Sequence, residues 1–177
     1  MAIIYHSSEE TLQTAENLAS TTGVRVQAYR SDVTSRDLIR GTLEQIEADF
    51  GKLDIVIANA GVCSNVAALD YTEASWASIN AVNYDGAMWT AQAAGRIFKR
   101  QGRGNLVVTA SVSSVLCNTP QKQAAYNASK AAAAHLARCL AVEWADFARV
   151  NSVSPGYVET KSTYSECTKS PLLTDRE

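Results

Sequence analysis

The sequence of 177 residues contains no apolar run long enough to span a bilayer, which excludes a helical membrane span. No basic segment accompanies the opening Met1-Ala2-Ile3-Ile4-Tyr5-His6, so this start does not read as a signal peptide. Charge of one sign is equally scarce. Lys and Arg number 16 against 18 Asp and Glu, and a net charge of −2 gives neither nucleic acid nor an anionic membrane a footing as partner. Cys63, Cys117, Cys139 and Cys167 show no CxxC spacing, and His6 and His135 are far apart. Neither a metal site nor a disulfide framework is expected. The thiols read as ordinary ones in a reducing compartment, with the cytoplasm as the expected location. No internal repeat or low-complexity linker divides the chain. What is there, 46% hydrophobic and 19% charged, has the composition of a globular protein, and the length fits one domain over residues 1–177.

The hydrophobic periodicity alternates between strand-like and helix-like. Ala2–Tyr5 predicts a short buried strand. Ser7-Ser8-Glu9-Glu10 reads as a capping box opening a helix to about Ser20, and Gly23 ends that turn. Val24–Tyr29 predicts a second strand. After a loop at Asp32–Ser35, a helix runs to Phe50 with Leu38, Leu43 and Ile46 on its inner side, and Gly51 breaks it. Leu53–Ala58 has the unbroken apolar character of a parallel strand buried on both faces. A helical stretch follows from about Thr72 to Arg100, with Gly86 as the expected interruption. Leu106–Ala110 is a strand, Gln123–Trp144 an alanine-rich helix and Arg149–Ser154 a strand ended by Pro155-Gly156. Residues 161–177 show no clear period. Strands alternating with helices imply an α/β domain with a mainly parallel sheet. In such sheets ligands bind beyond the carboxyl ends of the strands, which directs attention to Asp32, Asn59, Ser111 and Pro155-Gly156.

One pair carries chemistry by its spacing. Tyr126 and Lys130 lie four residues apart and share a helical face. An ammonium beside a phenol favours the phenolate, and a phenol so tuned can exchange a proton with an alcohol oxygen. Ser111 directly follows a strand, which favours it over Ser113 and Ser114 as a hydrogen-bond donor. Asn83 reads either as a functional amide or as a polar residue in a kink near Gly86. Asp32 reads either as a ligand-facing carboxylate or as the neighbour of a helix cap. Asp54 opens a strand and reads as a turn residue.

In order along the chain, Asn59-Ala60-Gly61, Asn80-Ala81-Val82-Asn83, Thr109-Ala110-Ser111, Tyr126-Asn127-Ala128-Ser129-Lys130 and Pro155-Gly156-Tyr157-Val158-Glu159-Thr160 resemble the motifs of the short-chain dehydrogenase/reductase family. The resemblance covers Ala2 to about Thr160. The wording of Pro120-Gln121-Lys122-Gln123 and Glu143–Asn151 is similar to a fungal branch that includes NADP-dependent mannitol 2-dehydrogenases and sorbose or xylulose reductases.

The resemblance implies a Rossmann-like doubly wound parallel sheet and hydride transfer between a ketone or ketose and a secondary alcohol or polyol. A ketone of secondary metabolism is the competing substrate class. Tyr126 would be the general acid and base. Lys130 would assist its ionisation and hold the nicotinamide ribose. Ser111 would hydrogen-bond the substrate oxygen, and Asn83 would hold a water linking Lys130 to solvent. Asp32 and Val33 would flank the adenine, Asn59, Ala60 and Gly61 would form the cofactor floor, and Pro155, Gly156, Val158 and Thr160 would border the nicotinamide.

The strand Ala2–Tyr5 ends in His6-Ser7-Ser8, with no carboxylate to repel a 2′-phosphate. Ser7 at a helix N-terminus could accept one, so NADP is expected rather than NAD. The family pairs its two long helices in dimers and tetramers, and the alanines of 131–134 leave a helix face smooth enough for such contact.

The family's first strand, with its TGxxxGxG turn, has no counterpart in these 177 residues; Gly102-Arg103-Gly104 precedes a strand instead of following one. That strand lies centrally in the order 3-2-1-4-5-6. Ala2–Tyr5 is therefore expected either to pair directly with Leu53–Ala58 or to leave a gap. The C-terminal end is also short of the family's last strand. An interaction subunit that keeps only the dimer helices stands as the alternative to an enzyme.

Overall fold

The computed structural model describes residues 1–158; Glu159, Thr160, Cys167 and the expected irregular tail lie outside the described residues. Among the described residues, five strands are interleaved with five α-helices. They are β1 (Ala2–Tyr5), α1 (Glu10–Thr22), β2 (Gln27–Arg30), α2 (Arg36–Phe50), β3 (Ile55–Ala58), α3 (Glu73–Asn80), α4 (Gly86–Gln101), β4 (Asn105–Thr109), α5 (Ala124–Glu143) and β5 (Arg149–Val153). All strand pairings are parallel: β1 with β2, β3 with β4, and β4 with β5. No ladder among the described residues joins β1 to β3, so the strands form a pair and a separate triplet. Of the two expected arrangements, the gap is the one adopted. Read across it, the order is β2-β1, then β3-β4-β5.

The core lies on one face of the triplet. Val56, Ala58, Leu106, Val108 and Val150 meet Leu43 and Ile46 of α2, Ala91, Ala94, Ile97 and Phe98 of α4, and Ala133, Ala137 and Leu140 of α5. Small residues on α4 suit its close packing against α2. A Cβ on Gly95 would lie 2.6 Å from the Trp144 ring. Gly51 and Gly102 end α2 and α4 with φ of 77° and 70°, a left-handed conformation that glycine adopts without strain.

Several expectations need correction. Ile55 and Ile57 are 59% and 61% exposed, so β3 is buried on one face only. Nothing among the described residues covers its other face, which is what an apolar strand of this kind is built to meet. Leu38 is 57% exposed; the inner stripe of α2 is Ile39, Leu43 and Ile46. Those residues follow the i, i+4, i+7 spacing, and Leu38 falls roughly 100° away from it. The capping box at Ser7–Glu10 does not form: α1 starts after Glu9 without a side-chain cap. Its first turn is closed by main-chain bonds from Thr11 and Leu12 to the carbonyls of Ser8 and Glu9, both 3.1 Å. The second strand begins at Gln27, not Val24.

The expected long helix is divided. α3 and α4 are separated by a π-helical turn at Ala81–Asp85, just before Gly86. A Cβ on Gly86 would sit 2.8 Å from Val33 Cγ2, so the turn after β2 packs directly on the start of α4. Arg36 extends that contact, donating to Gln92 at 2.8 Å and lying 5.5 Å from the centre of the Trp89 ring. These contacts and α2 tie the β1-β2 pair to the rest of the molecule.

Candidate active site

The candidate residues gather where β3 and β4 end and α5 begins. β4 runs out at Thr109; Ser111 then caps a short 3-10 turn at Val112–Ser114, its Oγ accepting from Ser113 N at 3.1 Å. Gln123 fastens the start of α5 to this turn by donating to Ser113 Oγ at 3.3 Å, and it donates to Asn127 Oδ1 at 3.0 Å. One helical turn then presents Tyr126, partly exposed, with Lys130 beneath it.

Lys130 is 4% exposed, and its Nζ donates to the Thr109 carbonyl at 2.7 Å. The ammonium lies 5.9 Å from the centre of the Tyr126 ring. No ion pair among the described residues reaches it, and burial pulls its pKa below the usual lysine value. A buried, uncompensated cation is costly to the fold, and such groups concentrate at functional sites.

Asn83 sits in the π-helical turn, 1% exposed. Turns of this type recur at functional sites. Its Oδ1 accepts from Val62 N at 2.8 Å, and its Nδ2 donates to the Val62 carbonyl and to Ser129 Oγ, both at 2.9 Å. Ser129 Oγ in turn donates to the Tyr126 carbonyl at 2.8 Å. Asn83 thus ties the loop after β3 to the helix that carries Tyr126 and Lys130. Gly61 lies inside this junction. A Cβ there would be 3.2 Å from Lys130 Nζ and 3.4 Å from Asn83 Oδ1. The close approach that calls for glycine is to the protein's own ammonium.

Asn59 and Ala60 are exposed above β3 and line the groove between the strand groups. Val33 lines the same groove. Asp32 accepts from Thr34 N at 2.9 Å and Thr34 Oγ1 at 2.8 Å, and these bonds hold its carboxyl below the usual range. His6 Nε2 lies 3.8 Å from Asp32 Oδ2, which places the neighbouring Ser7, itself exposed, on the β1-β2 side. Pro155 is joined to the Ser111 turn through its carbonyl, which accepts from Val112 N at 3.0 Å; Gly156 and Val158 are exposed nearby in sequence. Thr160 lies outside the described residues.

The structure therefore joins Asn83, Gly61, Lys130 and Tyr126 in one cluster, links it through Thr109 to Ser111, and keeps Ser7, Asp32 and Val33 across the groove. Sequence reasoning missed Ser129, Gln123 and Tyr157, whose hydroxyl donates to Gln121 Oε1 at 2.6 Å. Ser129 lies within the Tyr126–Lys130 motif, but its role depends on Asn83, 46 residues away. No group of three or more His, Cys, Asp or Glu among the described residues could hold a metal ion.

Residues 1–175 match the family model described as enoyl-(acyl carrier protein) reductase, adh_short_C2. The chain is 45% identical over 165 residues to a sorbose reductase of Schizosaccharomyces pombe, covering 92% of this chain and 65% of that protein. It is 44% identical over 161 residues to an NADP-dependent mannitol dehydrogenase of Hypocrea jecorina, covering 90% and 60%. It thus spans less than two thirds of the length of these curated relatives. Among solved structures, it superposes with a TM-score of 0.84 on NADPH-dependent 3-quinuclidinone reductase from Rhodotorula rubra, at 37% identity, covering 97% of this chain and 67% of that one. A family match across nearly every residue, with these relatives and the parallel α/β fold, means that the chain belongs to the short-chain dehydrogenase/reductase family.

Proposed function

We propose that this chain carries the proton-transfer site of an NADP(H)-dependent oxidoreductase that interconverts a ketose or related ketone with its polyol or secondary alcohol. The observation that carries the reading is Lys130: a buried ammonium with no carboxylate facing it among the described residues, set under the partly exposed Tyr126. The two relatives, a sorbose reductase and an NADP-dependent mannitol dehydrogenase, support the substrate class and the cofactor.

In the direction of reduction, Tyr126 gives its phenolic proton to the carbonyl oxygen, and in oxidation it takes the proton back. Ser111 donates a hydrogen bond where negative charge develops on that oxygen. Lys130 sets a buried positive charge under the Tyr126 ring. Asn83 and Ser129 hold the α5 turn in register with the loop after β3.

The residues fit the two ends of the cofactor. Lys130 and the loop after β5 suit the nicotinamide ribose side, and Ser7, Asp32 and Val33 suit the adenosine side. The described residues offer no glycine-rich turn for the pyrophosphate between them. When bound, NADPH supplies the hydride. Assembly of copies through α4 and α5 belongs to the same reading; Val142 on α5 is 80% exposed. Cytoplasmic location does too, in keeping with the free thiols of Cys117 and Cys139.

The test is a fluorescence titration of NADPH into the folded 177-residue chain, followed by NADPH oxidation with sorbose, fructose and a ketone without hydroxyls. The reading expects binding and ketose-dependent turnover. A folded chain that leaves NADPH fluorescence unchanged at millimolar concentration overturns it.

A further inference from the structure

The turn that carries Ser111 belongs to a file of hydrogen bonds that the proton transfer does not use. The Cys63 thiol donates to Gln123 Oε1 at 3.6 Å, and Gln123 Nε2 donates to Ser113 Oγ at 3.3 Å. Ser113 has one hydroxyl proton and gives it to Asn118 Oδ1 at 2.8 Å. Asn118 therefore turns its Nδ2 toward Gln121, where it lies 3.5 Å from Oε1. The Tyr157 hydroxyl donates to that same oxygen at 2.6 Å. From Cys63 to Gln121 every bond runs in one direction.

This direction fixes the Gln121 amide. Turned over, it would set its NH2 against the NH2 of Asn118, two donors with no acceptor between them. Oε1 thus faces Asn118 and Tyr157, and both Nε2 protons are left over. No acceptor among the described residues takes them, although the side chain is half-buried. Gln121 lies on the segment that joins Ser111 to Tyr126, just before α5. The loop after β5 is joined to this segment on both sides of Gly156. Pro155 accepts from Val112 N at 3.0 Å, and Tyr157 reaches Gln121. A Cβ on Gly156 itself would lie 4.0 Å from Val112 Cγ1.

We propose that Gln121 is a specificity-determining residue that donates from Nε2 to a hydroxyl oxygen of the substrate away from the reacting carbonyl, with Asn118 and Tyr157 holding its amide in that orientation. The inference rests on the reading of Tyr126 as proton donor to a ketose, and it names the contact that separates a ketose from a plain ketone. A substrate hydroxyl accepts from Nε2, and the Tyr157 oxygen keeps a lone pair for that hydroxyl's own proton. A ketone without hydroxyls displaces water from the amide and leaves it unpaired, which disfavours that ketone.

The test is a nuclear magnetic resonance titration of the 177-residue chain with sorbose and, separately, with cyclohexanone. NADP+ is present, so neither ketone is reduced. The side-chain amide signal of Gln121 is expected to shift with sorbose and to stay in place with cyclohexanone, and the remote amide of Gln13 on α1 to move with neither. Gln121→Met keeps the length of the side chain without the donor. It is expected to lower the preference for sorbose about tenfold, read as the ratio of the two dissociation constants from the backbone signal of Ser113. Tyr157→Phe, which leaves Gln121 in place but frees its amide to turn, lowers the preference in the same direction. An unchanged preference in Gln121→Met overturns the proposal, as do equal shifts of the Gln121 signal by both ketones. Turnover of sorbose with NADPH beside an unmoved Gln121 signal overturns it and leaves the reading of Tyr126 standing. A sorbose-specific shift in a chain without turnover supports the Gln121 contact, and only the reading of Tyr126 then fails. Neither shift nor turnover overturns both.

Discussion

Lys130 and Tyr126 stand one turn apart, and the same turn gives them opposite settings. Lys130 points inward to the Thr109 carbonyl and is 4% exposed; Tyr126 remains partly exposed. Removing the phenolic hydroxyl leaves the packing of the ring intact and deletes the proton donor. Tyr126→Phe is therefore expected to lower kcat of ketose reduction by about 10²–10⁴-fold with an unchanged denaturation midpoint; steady-state kinetics beside a urea titration checks both. The fold shifts the titration of Tyr29. Tyr29 donates to Asp49 Oδ2 at 2.7 Å, and burial, with that bond second, pushes its pKa up to about 12. The same bond holds the Asp49 carboxyl below its ordinary value. A raised folded-state pKa gives stability that is full below the unfolded value near 10 and fades as pH climbs through 12. The stability gap between the native chain and Tyr29→Phe should thus be constant from pH 6 to 9 and shrink above pH 10. Urea midpoints of both proteins across that range measure it; a gap that widens with alkali contradicts the assignment.

At the scale of elements, the π-helical turn between α3 and α4 is tied to its neighbours by the amide of Asn83. Asn83 satisfies both main-chain groups of Val62 and the hydroxyl of Ser129. Asn83→Ala is expected to cost about 1–3 kcal/mol through the groups left unpaired and to raise amide exchange in the loop after β3, both readable in one exchange experiment with a denaturant series. Helix α4 has a different constraint. Gly95 faces the Trp144 ring at 2.6 Å from where a Cβ would be, and that ring also packs against Phe147, with ring centres 5.8 Å apart. Gly95→Ala should destabilise the chain by about 1–3 kcal/mol by overpacking, measured as a lower thermal midpoint with a blue-to-red change in Trp144 emission. The glycine was legible in the sequence only as a helix residue of poor propensity. Its reason lies on another helix.

On the whole-molecule scale, the parallel strands fall into a pair and a triplet bridged by α2, and nothing among the described residues covers the face of β3 away from the core. An exposed apolar strand with an unpaired edge is a template for association. Ile55→Thr with Ile57→Thr should reduce concentration-dependent light scattering several-fold while changing stability by only about 0.5 kcal/mol per site, because neither side chain is in the core. Sedimentation at two concentrations distinguishes association through this face from assembly through α4 and α5.

The sequence by itself determined what depends on local pattern. Strand–helix alternation, the α2 stripe at Leu43 and Ile46, the helix-ending Gly51 and the place of Tyr126 and Lys130 on one turn follow from periodicity and spacing, and each is found in the structure. The resemblance to the family left two arrangements open, direct pairing of β1 with β3 or a gap, and the ladders among the described residues show no pairing between them. Only the tertiary structure decided which side of each element meets another. It turned Leu38 and Ile57 outward, closed the first turn of α1 with main-chain bonds, and aimed Lys130 at a carbonyl 21 residues away. It also brought Ser129 to Asn83 across 46 residues. Those outcomes depend on contacts between distant segments, and a hydrophobic period records that a face must be buried without recording what will bury it.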